Sequence, residues 1–543
     1  MVIGLDSATF DILGRWIDGG LLPCLANLIH QGVSCELRST VPPHTAPAWS
    51  SFMTGKNPGK HGVFGFMKLS DNEKNLRLTS STDRKAQDLW EIMSAHGRKV
   101  AVIRVPVTYP TRMVNGILVS GFMTPPNVQD YVYPASLKEE IEREIGQLTP
   151  TRSESPVKRD LEASIIEDLR SSLERLGKGL PNLLEKYDWD FFMVVFQGTD
   201  EVQHRFWHLS DPNHPQFDRN DFSKYGDVIL KYYQAVDMII SSMLNRVDLA
   251  ETTVVVLSDH GARPLHKWVS LNNIFWRHQL LAFKRDPWTQ LKLMLFRAGI
   301  TPVNIYRAVW KLHLSGVRKA IRNEETRSSL RGLMISLKDL DWSATKAYAP
   351  GGWGQVYLNM NATPADQYED LRRKVTDVLA AASDPISGQR IFNEDNIVLR
   401  EKIYHGPLLK DAPDIIALPD PPYQGYADYE FGFNSPVANS IGISGTHSMN
   451  GILILRGSEI KSDVKMTTAS IMDVAPTILY FMGLSIPKDM DGKVLSDAIQ
   501  KQQLETKPPI YSSEAEVTSQ SSFTYSLEEE ERLKKSLKDL GYL

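Results

Sequence analysis

Cysteine is almost missing from this chain: Cys24 and Cys35 are the only two among 543 residues. Two thiols cannot staple a chain of that length, so a disulfide scaffold is excluded and a reduced protein is expected. Long apolar runs are missing as well, and no stretch approaches the roughly 18–20 residues of a membrane-spanning helix. The opening Met1-Val2-Ile3-Gly4-Leu5-Asp6 starts at once on a strand and leaves no room for a cleaved signal, so the expected location is the cytoplasm. Neither sign of charge dominates: 61 Lys and Arg face 65 Asp and Glu, a net charge of −4. That balance gives the chain as a whole no affinity for nucleic acid. What remains is an ordinary globular composition, 42% hydrophobic and 23% charged. The length allows one large core with insertions as readily as two or three small ones.

Short apolar strands alternate with helical stretches. Val2–Leu5 is followed by a helix over 21–29 with Pro23 in its first turn, and further strands are expected at 99–105, Gly116–Ser120, 190–196 and 253–257. The last two are almost wholly apolar, the pattern of strands covered on both faces. Later strands are expected at Gln355–Leu358, 414–418 and 451–455, then a helix over 471–482 closed by Gly483. The expected fold is α/β: a mostly parallel central sheet flanked by helices, carrying helical cap insertions. Residues 1–275 and 335–500 form its core, and 125–188 a helical cap with helices at 136–144 and 160–176. A C-terminal helical tail occupies 501–543, with its helix over 527–543.

The remaining segment, 276–334, is a basic amphipathic insertion. From 276 to 331 there are twelve Lys or Arg against three acids, a net +9 inside a chain of −4. Trp288, Leu293, Leu295, Phe296, Ile305, Tyr306, Val309 and Trp310 are interleaved with them. Three readings are open: a solvated lid helix packed on the main domain, a surface for an anionic membrane, or a nucleic-acid contact.

Six dispersed residues, Asp6, Asp200, His204, Asp259, His260 and His447, stand after or near apolar runs, where an open α/β sheet delivers functional side chains. Carboxylates and imidazoles are also the groups that hold two divalent cations a few ångströms apart. Each residue alone has a plainer explanation. Asp6 after a strand can be a helix cap. Asp200-x-x-x-His204 puts both side chains on one face of a helical turn, fit to share a cation, but a surface pair has the same spacing. Asp259-His260-Gly261 follows the apolar 254–257 run, and Gly261 permits a turn that lets both side chains reach one ion. His447 lies in a Gly/Ser-rich loop, where a histidine is usually incidental. Thr45, within Val41-Pro42-Pro43-His44-Thr45-Ala46-Pro47-Ala48-Trp49, can cap a helix. A helix N-terminus also offers N–H groups to a phosphoryl oxyanion, and a threonine there can be a nucleophile.

In their order and context these motifs closely resemble the alkaline phosphatase superfamily, and within it the type I phosphodiesterase/nucleotide pyrophosphatase branch. Thr45-Ala46-Pro47 followed by Thr54-Gly55-x-x-Pro58-x-x-His61-Gly62 looks like that branch's nucleophile loop. The Asp200/His204, Asp259-His260-Gly261 and Gly445-x-His447 motifs match its remaining metal motifs, and Asp473-Val474-Ala475-Pro476-Thr477 resembles another hallmark. The opening Ile3-Gly4-Leu5-Asp6-Ser7-Ala8-Thr9-Phe10 and the closing Leu540-Gly541-Tyr542-Leu543 resemble a group of predicted phosphohydrolases/phosphomutases. The resemblance implies that Asp6, Asp259 and His260 hold one cation beside Thr45, and that Asp200, His204 and His447 hold the other. It implies in-line attack by Thr45 on a small-molecule phosphate ester, a phospho-threonine intermediate, and its cleavage by water. Zinc suits the Asp/His donor set best, with manganese as a second choice.

Sulfatases of this superfamily carry Cys or Ser at the nucleophile position and Arg four residues later; Thr45 and Trp49 stand there instead. Nucleotide pyrophosphatases carry a phosphate-binding Asn shortly after the loop, and Val63-Phe64-Gly65-Phe66-Met67 has none. His44, Lys60, Lys68 or a backbone N–H are the candidates to replace it. The expected activity is therefore a two-metal phosphohydrolase, of diesters before monoesters. The alternatives are a phosphomutase acting on a sugar phosphate and a non-catalytic binding protein on the same fold.

Overall fold

A computed structural model describes residues 1–69, 76–147, 161–311, 332–427, 431–513 and 523–539. Residues 312–331 of the basic segment and the closing motif at 540–543 lie outside these.

The dominant element is a nine-stranded sheet in the order Val464–Ser470, Val33–Arg38, Asn450–Arg456, Val254–Leu257, Val2–Leu5, Phe191–Phe196, Val100–Val105, Gly116–Ser120, Val132–Tyr133. Five of its eight junctions are parallel, and the three antiparallel ones involve Asn450–Arg456 and the Val132–Tyr133 edge. The mostly parallel α/β architecture read from the sequence is the one observed. The expected strands at 99–105, 190–196 and 253–257 fall within a residue of those seen.

The continuous apolar runs have a direct cause. Alternate residues of each strand serve two different cores. Ile3, Leu5, Val194, Phe196 and Val256 face one layer of helices. Val2, Met193, Val195, Val255 and Leu257 face the other. The first layer holds Phe10–Asp18, Pro23–His30, Leu161–Lys186, Gly198–Ser210 and Val228–Leu244; the second holds Thr45–Thr54, Leu89–Ala95 and Val474–Phe481. Gly4 sits on the second face because Trp49 lies against it: a Cβ there would come within 2.6 Å of Trp49 Cη2. The strand and the Thr45–Thr54 helix thus touch without a spacer.

The segment expected as a cap contributes Lys138–Ile145 and Leu161–Lys186 to the first helical layer. The second helix runs ten residues past the expected end at 176, through Gly177, Gly179 and Pro181. Burial of Leu180, Leu183 and Leu184 in the core outweighs the poor helix propensity of those three residues. Leu527–Asp539 packs back onto the same core through Leu533 and Leu537.

Two of the later expected strands do not join the main sheet. Gln355–Leu358 and Ile415–Ala417 form an antiparallel four-stranded sheet with Ala347–Tyr348 and Ile397–Leu399. Beside it a three-stranded sheet joins Tyr423–Gly425, Lys267–Val269 and Val437–Asn439. Both share a separate hydrophobic cluster running from Val269 to Val437. Single-residue alternation in short strands does not reveal which sheet they enter. Pairing between Gln355 and Ile416, far apart in the chain, decides that.

Candidate active site

Three adjacent parallel strands end beside one another, and each delivers a carboxylate just past its C-terminal end. Asp6 follows Val2–Leu5, Asp259 follows Val254–Leu257, and Asp200 lies in the first turn of the Gly198–Ser210 helix after Phe191–Phe196. All three are at most 1% exposed. His260 follows Asp259 directly, and His204 lies one turn beyond Asp200. His447 comes from Gly445–Ser448, which pairs antiparallel with Gly261–Pro264 and sets His447 opposite Ala262. Thr45 arrives as the first residue of the Thr45–Thr54 helix. The first-turn N–H groups of Thr45 and Ala46 have no acceptor within the helix.

Two sets of donor atoms result. Asp6, Asp259 and His260 form one, and Asp200, His260 and His447 form another, with ligand atoms within 4.8 Å of each other in each set. His204 belongs beside the second: its Nε2 is 3.2 Å from Asp200 Oδ1 and 3.0 Å from His447 Nε2, and His447 Nε2 is 3.4 Å from Asp200 Oδ1. His260 links the sets. Its Nε2 lies 3.1 Å from Asp259 Oδ2, 3.9 Å from Asp6 Oδ1 and 3.2 Å from Thr45 Oγ1.

The hydrogen-bond pattern around the imidazoles fits cations. His204 Nδ1 is 2.8 Å from the Gly445 carbonyl, and His447 Nδ1 is 2.9 Å from the Pro43 carbonyl. A carbonyl only accepts, so both Nδ1 atoms carry the proton and both rings turn an Nε2 lone pair inward. Two such lone pairs 3.0 Å apart repel unless a cation or proton lies between them. Among the described residues, apart from the His260 ring 3.1 Å from Asp259 Oδ2, nothing donates to the buried Asp6 Oδ1 or Asp259 Oδ2. A desolvated carboxylate oxygen left that way costs several kcal/mol (of order 1–3 or more) unless a positive charge compensates it.

The electrostatics agree. Burial, followed by the nearby Asp259 and Asp200 charges, pushes the Asp6 carboxyl well above its ordinary range. Burial would do the same to Asp200, but His204 and His447 hold it well below. Burial opposes the His260 imidazolium, yet Asp259 outweighs it and raises that pKa. Burial and the His260 charge drive His447 well down, toward the neutral ligand form.

Of the replacements expected for the missing Asn, only His44 adjoins the site. It precedes Thr45, is kept neutral by burial, and packs against Phe66 at 4.5 Å and Trp353 at 5.0 Å. Lys60 instead bonds Asp491 Oδ1 at 2.5 Å and the Asp489 carbonyl at 2.8 Å, and Lys68 lies 3.8 Å from Asp83. Lys56 pairs with Asp489 in the same loop.

Three side chains of the site lay outside the sequence expectations. Trp49 Nε1 donates to Asp6 Oδ2 at 3.2 Å, so the residue used against sulfatase chemistry also orients a carboxylate. Trp353 stacks on the far face of the site, 4.2 Å from the His447 ring and 28° off parallel, and His260 stacks on the same ring at 3.6 Å. Its signal was the Gly351-Gly352-Trp353-Gly354 run. Gly354 has φ +72°, and a Cβ there would meet the Ala417 carbonyl at 2.1 Å, so only glycine lets the loop set Trp353 down here. Arg263 donates from Nε to the His447 carbonyl at 3.1 Å and from an Nη to the Tyr423 carbonyl at 2.8 Å, tying the His447 strand to the smaller sheet.

The comparisons with known proteins agree with this geometry. No curated protein matches the sequence. Among solved structures, human ectonucleotide pyrophosphatase / phosphodiesterase 5 superposes with a TM-score of 0.51 at 11% identity, covering 92% of this chain and 99% of that one. Its murine counterpart, as an inactive variant in complex with AMP, gives 0.50 at 11% identity, over the same 92% and 99%. Phosphonoacetate hydrolase from Sinorhizobium meliloti 1021, in complex with phosphonoformate, gives 0.53 at 14% identity, over 89% and 94%. At these identities the likeness is one of fold alone. The family model for type I phosphodiesterase / nucleotide pyrophosphatase matches residues 1–450. With the match covering most of the sequence and the seven candidate site residues from Asp6 to His447 inside it, the chain is a phosphoric ester hydrolase and belongs to the type I phosphodiesterase / nucleotide pyrophosphatase family.

Proposed function

We propose that this chain hydrolyses small phosphate diesters through a phospho-threonine formed on Thr45, using two divalent cations, zinc before manganese. The observation that carries the reading is the placement of Thr45 Oγ1 at a helix N-terminus, 3.2 Å from His260 Nε2, where the two donor sets meet. Asp6, Asp259 and His260 would hold one cation, and Asp200, His204 and His447 the other. When bound, the cations would lower the pKa of the Thr45 hydroxyl and offset charge on the phosphoryl oxygens. Thr45 Oγ attacks phosphorus and releases its proton to solvent, the bond to the leaving oxygen breaks on the opposite side, and that oxygen takes a proton from solvent and departs as the alcohol. Water then cleaves the phospho-threonine and restores the hydroxyl.

A helix N-terminus suits charge that develops on the phosphoryl group, and here it stands where the sequence offers no Asn. Trp353 and His44 wall the site with rings and limit water. Support from relatives is specific: the murine structure was solved as a Thr→Ala variant described as inactive, with AMP bound.

The test compares an aryl phosphate diester with its monoester after chelation, with Zn²⁺ or Mn²⁺ restored. Turnover is expected to return with either metal and to favour the diester. Thr45→Ala is expected to lose at least about 10³-fold in turnover while retaining its metal content. An active Thr45→Ala would rule out the covalent route, and preference for the monoester would rule out the diesterase assignment.

A further inference from the structure

The Pro287–Arg297 helix is apolar on two opposite faces, and only one of them is covered. Thr289, Leu293 and Phe296 point inward, and Leu293 and Phe296 enter the core of the smaller sheets. At about 100° per residue the opposite face is centred on Leu291, with Pro287, Trp288, Met294 and Ala298 around it. These are outside: Trp288 is 51% exposed, Leu291 40% and Met294 58%, and Ile300 just beyond the helix is 43% exposed. A surface helix of a soluble protein ordinarily turns polar residues to that side. A patch of this kind, rimmed by charge, marks an interaction surface.

The rim is basic. Lys284 and Arg285 are exposed ahead of the helix and Arg297 at its end. Lys284 Nζ donates to the Lys338 carbonyl at 2.7 Å, and the Arg297 guanidinium lies over the Trp276 ring at 5.5 Å, so neither contact neutralises a charge. Lys292, on the flank, is paired with Asp339 at 3.0 Å and reaches over Trp288 at 5.9 Å. The single acid on this stretch, Asp286, caps the helix by accepting from the Thr289 N–H at 3.0 Å. Among the described residues no single helix is long and apolar enough to cross a membrane. An in-plane mode is what this surface allows.

We propose that the outer face of the Pro287–Arg297 helix seats the protein on an anionic lipid bilayer, with Trp288, Leu291 and Met294 entering the headgroup boundary and Lys284, Arg285 and Arg297 meeting lipid phosphates. Charge complementarity selects this occupant. A second copy docked symmetrically would bring like-charged rims together, and a nucleic acid offers nothing for the aliphatic stripe. Aromatic and aliphatic side chains between cations on one helical face are the composition of interfacial helices. The proposal is independent of the reaction at Thr45.

The test is co-sedimentation of the full chain with vesicles of phosphatidylcholine alone and of phosphatidylcholine with phosphatidylglycerol. Binding is expected only to the second kind and is expected to weaken as salt screens the rim. The double variant Trp288→Ser/Met294→Ser is expected to bind at least about tenfold more weakly. Arg285→Gln/Arg297→Gln is expected to lose several-fold per cation, about fivefold each. Both variants change exposed side chains and are expected to keep the parent melting temperature. Equal binding to both vesicles, no binding to either, or undiminished binding of the Trp288→Ser/Met294→Ser variant would overturn the proposal. So would a dimer, seen by light scattering, that this variant dissolves.

Discussion

The site depends on a few atoms being denied their usual partners. His204 and His447 each commit Nδ1 to a backbone carbonyl, so the only chemistry left to them is at Nε2. Among the described residues, Asp6 receives one side-chain hydrogen bond, from Trp49, and its other oxygen receives none. Trp49 is therefore an orienting residue as well as the floor of its helix against Gly4. Trp49→Phe removes the N–H, together with the outer ring edge that lies against Gly4, so its melting temperature is measured alongside. The expected result is a roughly 10- to 100-fold loss of metal affinity, the usual cost of losing such a supporting bond. Competition titration against a chelating dye measures it, and unchanged affinity would show that the Trp49–Asp6 bond does not orient the ligand. The candidate donors could be named from the order and context of their motifs, whereas spacing alone left each with a plainer explanation. Trp353 and Arg263 could not be named, because they act through stacking and a carbonyl contact that exist only after folding.

Individual elements are held in register by short, buried polar contacts. The Pro58–His61 turn follows the Thr45–Thr54 helix and anchors its C-terminal end. His61 Nε2 lies 3.0 Å from Ser51 Oγ in that helix, and its Nδ1 accepts from the Val63 N–H at 3.2 Å. An accepting Nδ1 requires the neutral ring. Burial, then the nearby Arg84 charge, lowers the His61 pKa from 6.5 to about 3. The unfolded chain takes up the proton first as pH falls below 6.5, so stability is complete above that value and is lost progressively down to about 3. Across that window this one group contributes a slope of up to about 1.4 kcal/mol per pH unit. His61→Gln is expected to flatten the slope by that amount in urea-unfolding series at stepped pH; an unchanged slope would mean that His61 is protonated in the folded state. The same turn carries Lys56 and Lys60, which reach Asp489 and Asp491 beyond the end of the family match at 450. Lys60 was a candidate substrate contact by sequence, and the distant Asp491 carboxylate and Asp489 carbonyl that engage its ammonium could not be seen there.

At the scale of the whole molecule, the six acid and imidazole residues come from segments separated by as much as the span from Asp6 to His447, and only the folded chain assembles them. A ligand that binds the folded state alone stabilises it by mass action, about 2.7 kcal/mol at a hundredfold excess over its dissociation constant. Chelating the two proposed cations, at about 2.7 kcal/mol each, is therefore expected to lower the melting temperature by roughly 5 °C in a chain of 543 residues. Calorimetric scans with and without chelator, followed by restored Zn²⁺, measure it. No shift would argue against two resident cations.

The amino-acid sequence by itself determined the local facts. Runs such as Phe191–Phe196 had to be doubly covered strands, the polar residues after them had to stand at strand ends, and the spacing of Asp200 and His204 had to put them on one face of a turn. Period and spacing are properties of a few consecutive residues, and hydrophobic burial enforces them wherever the segment lands. Tertiary structure decided everything that depends on pairing at a distance. It sent Gln355–Leu358 into a second sheet, carried the Leu161–Lys186 helix through Pro181, and made His260 common to both donor sets. It also left an apolar face of the Pro287–Arg297 helix outward. Each of these is fixed by which surfaces meet, and no stretch of sequence contains both of the surfaces.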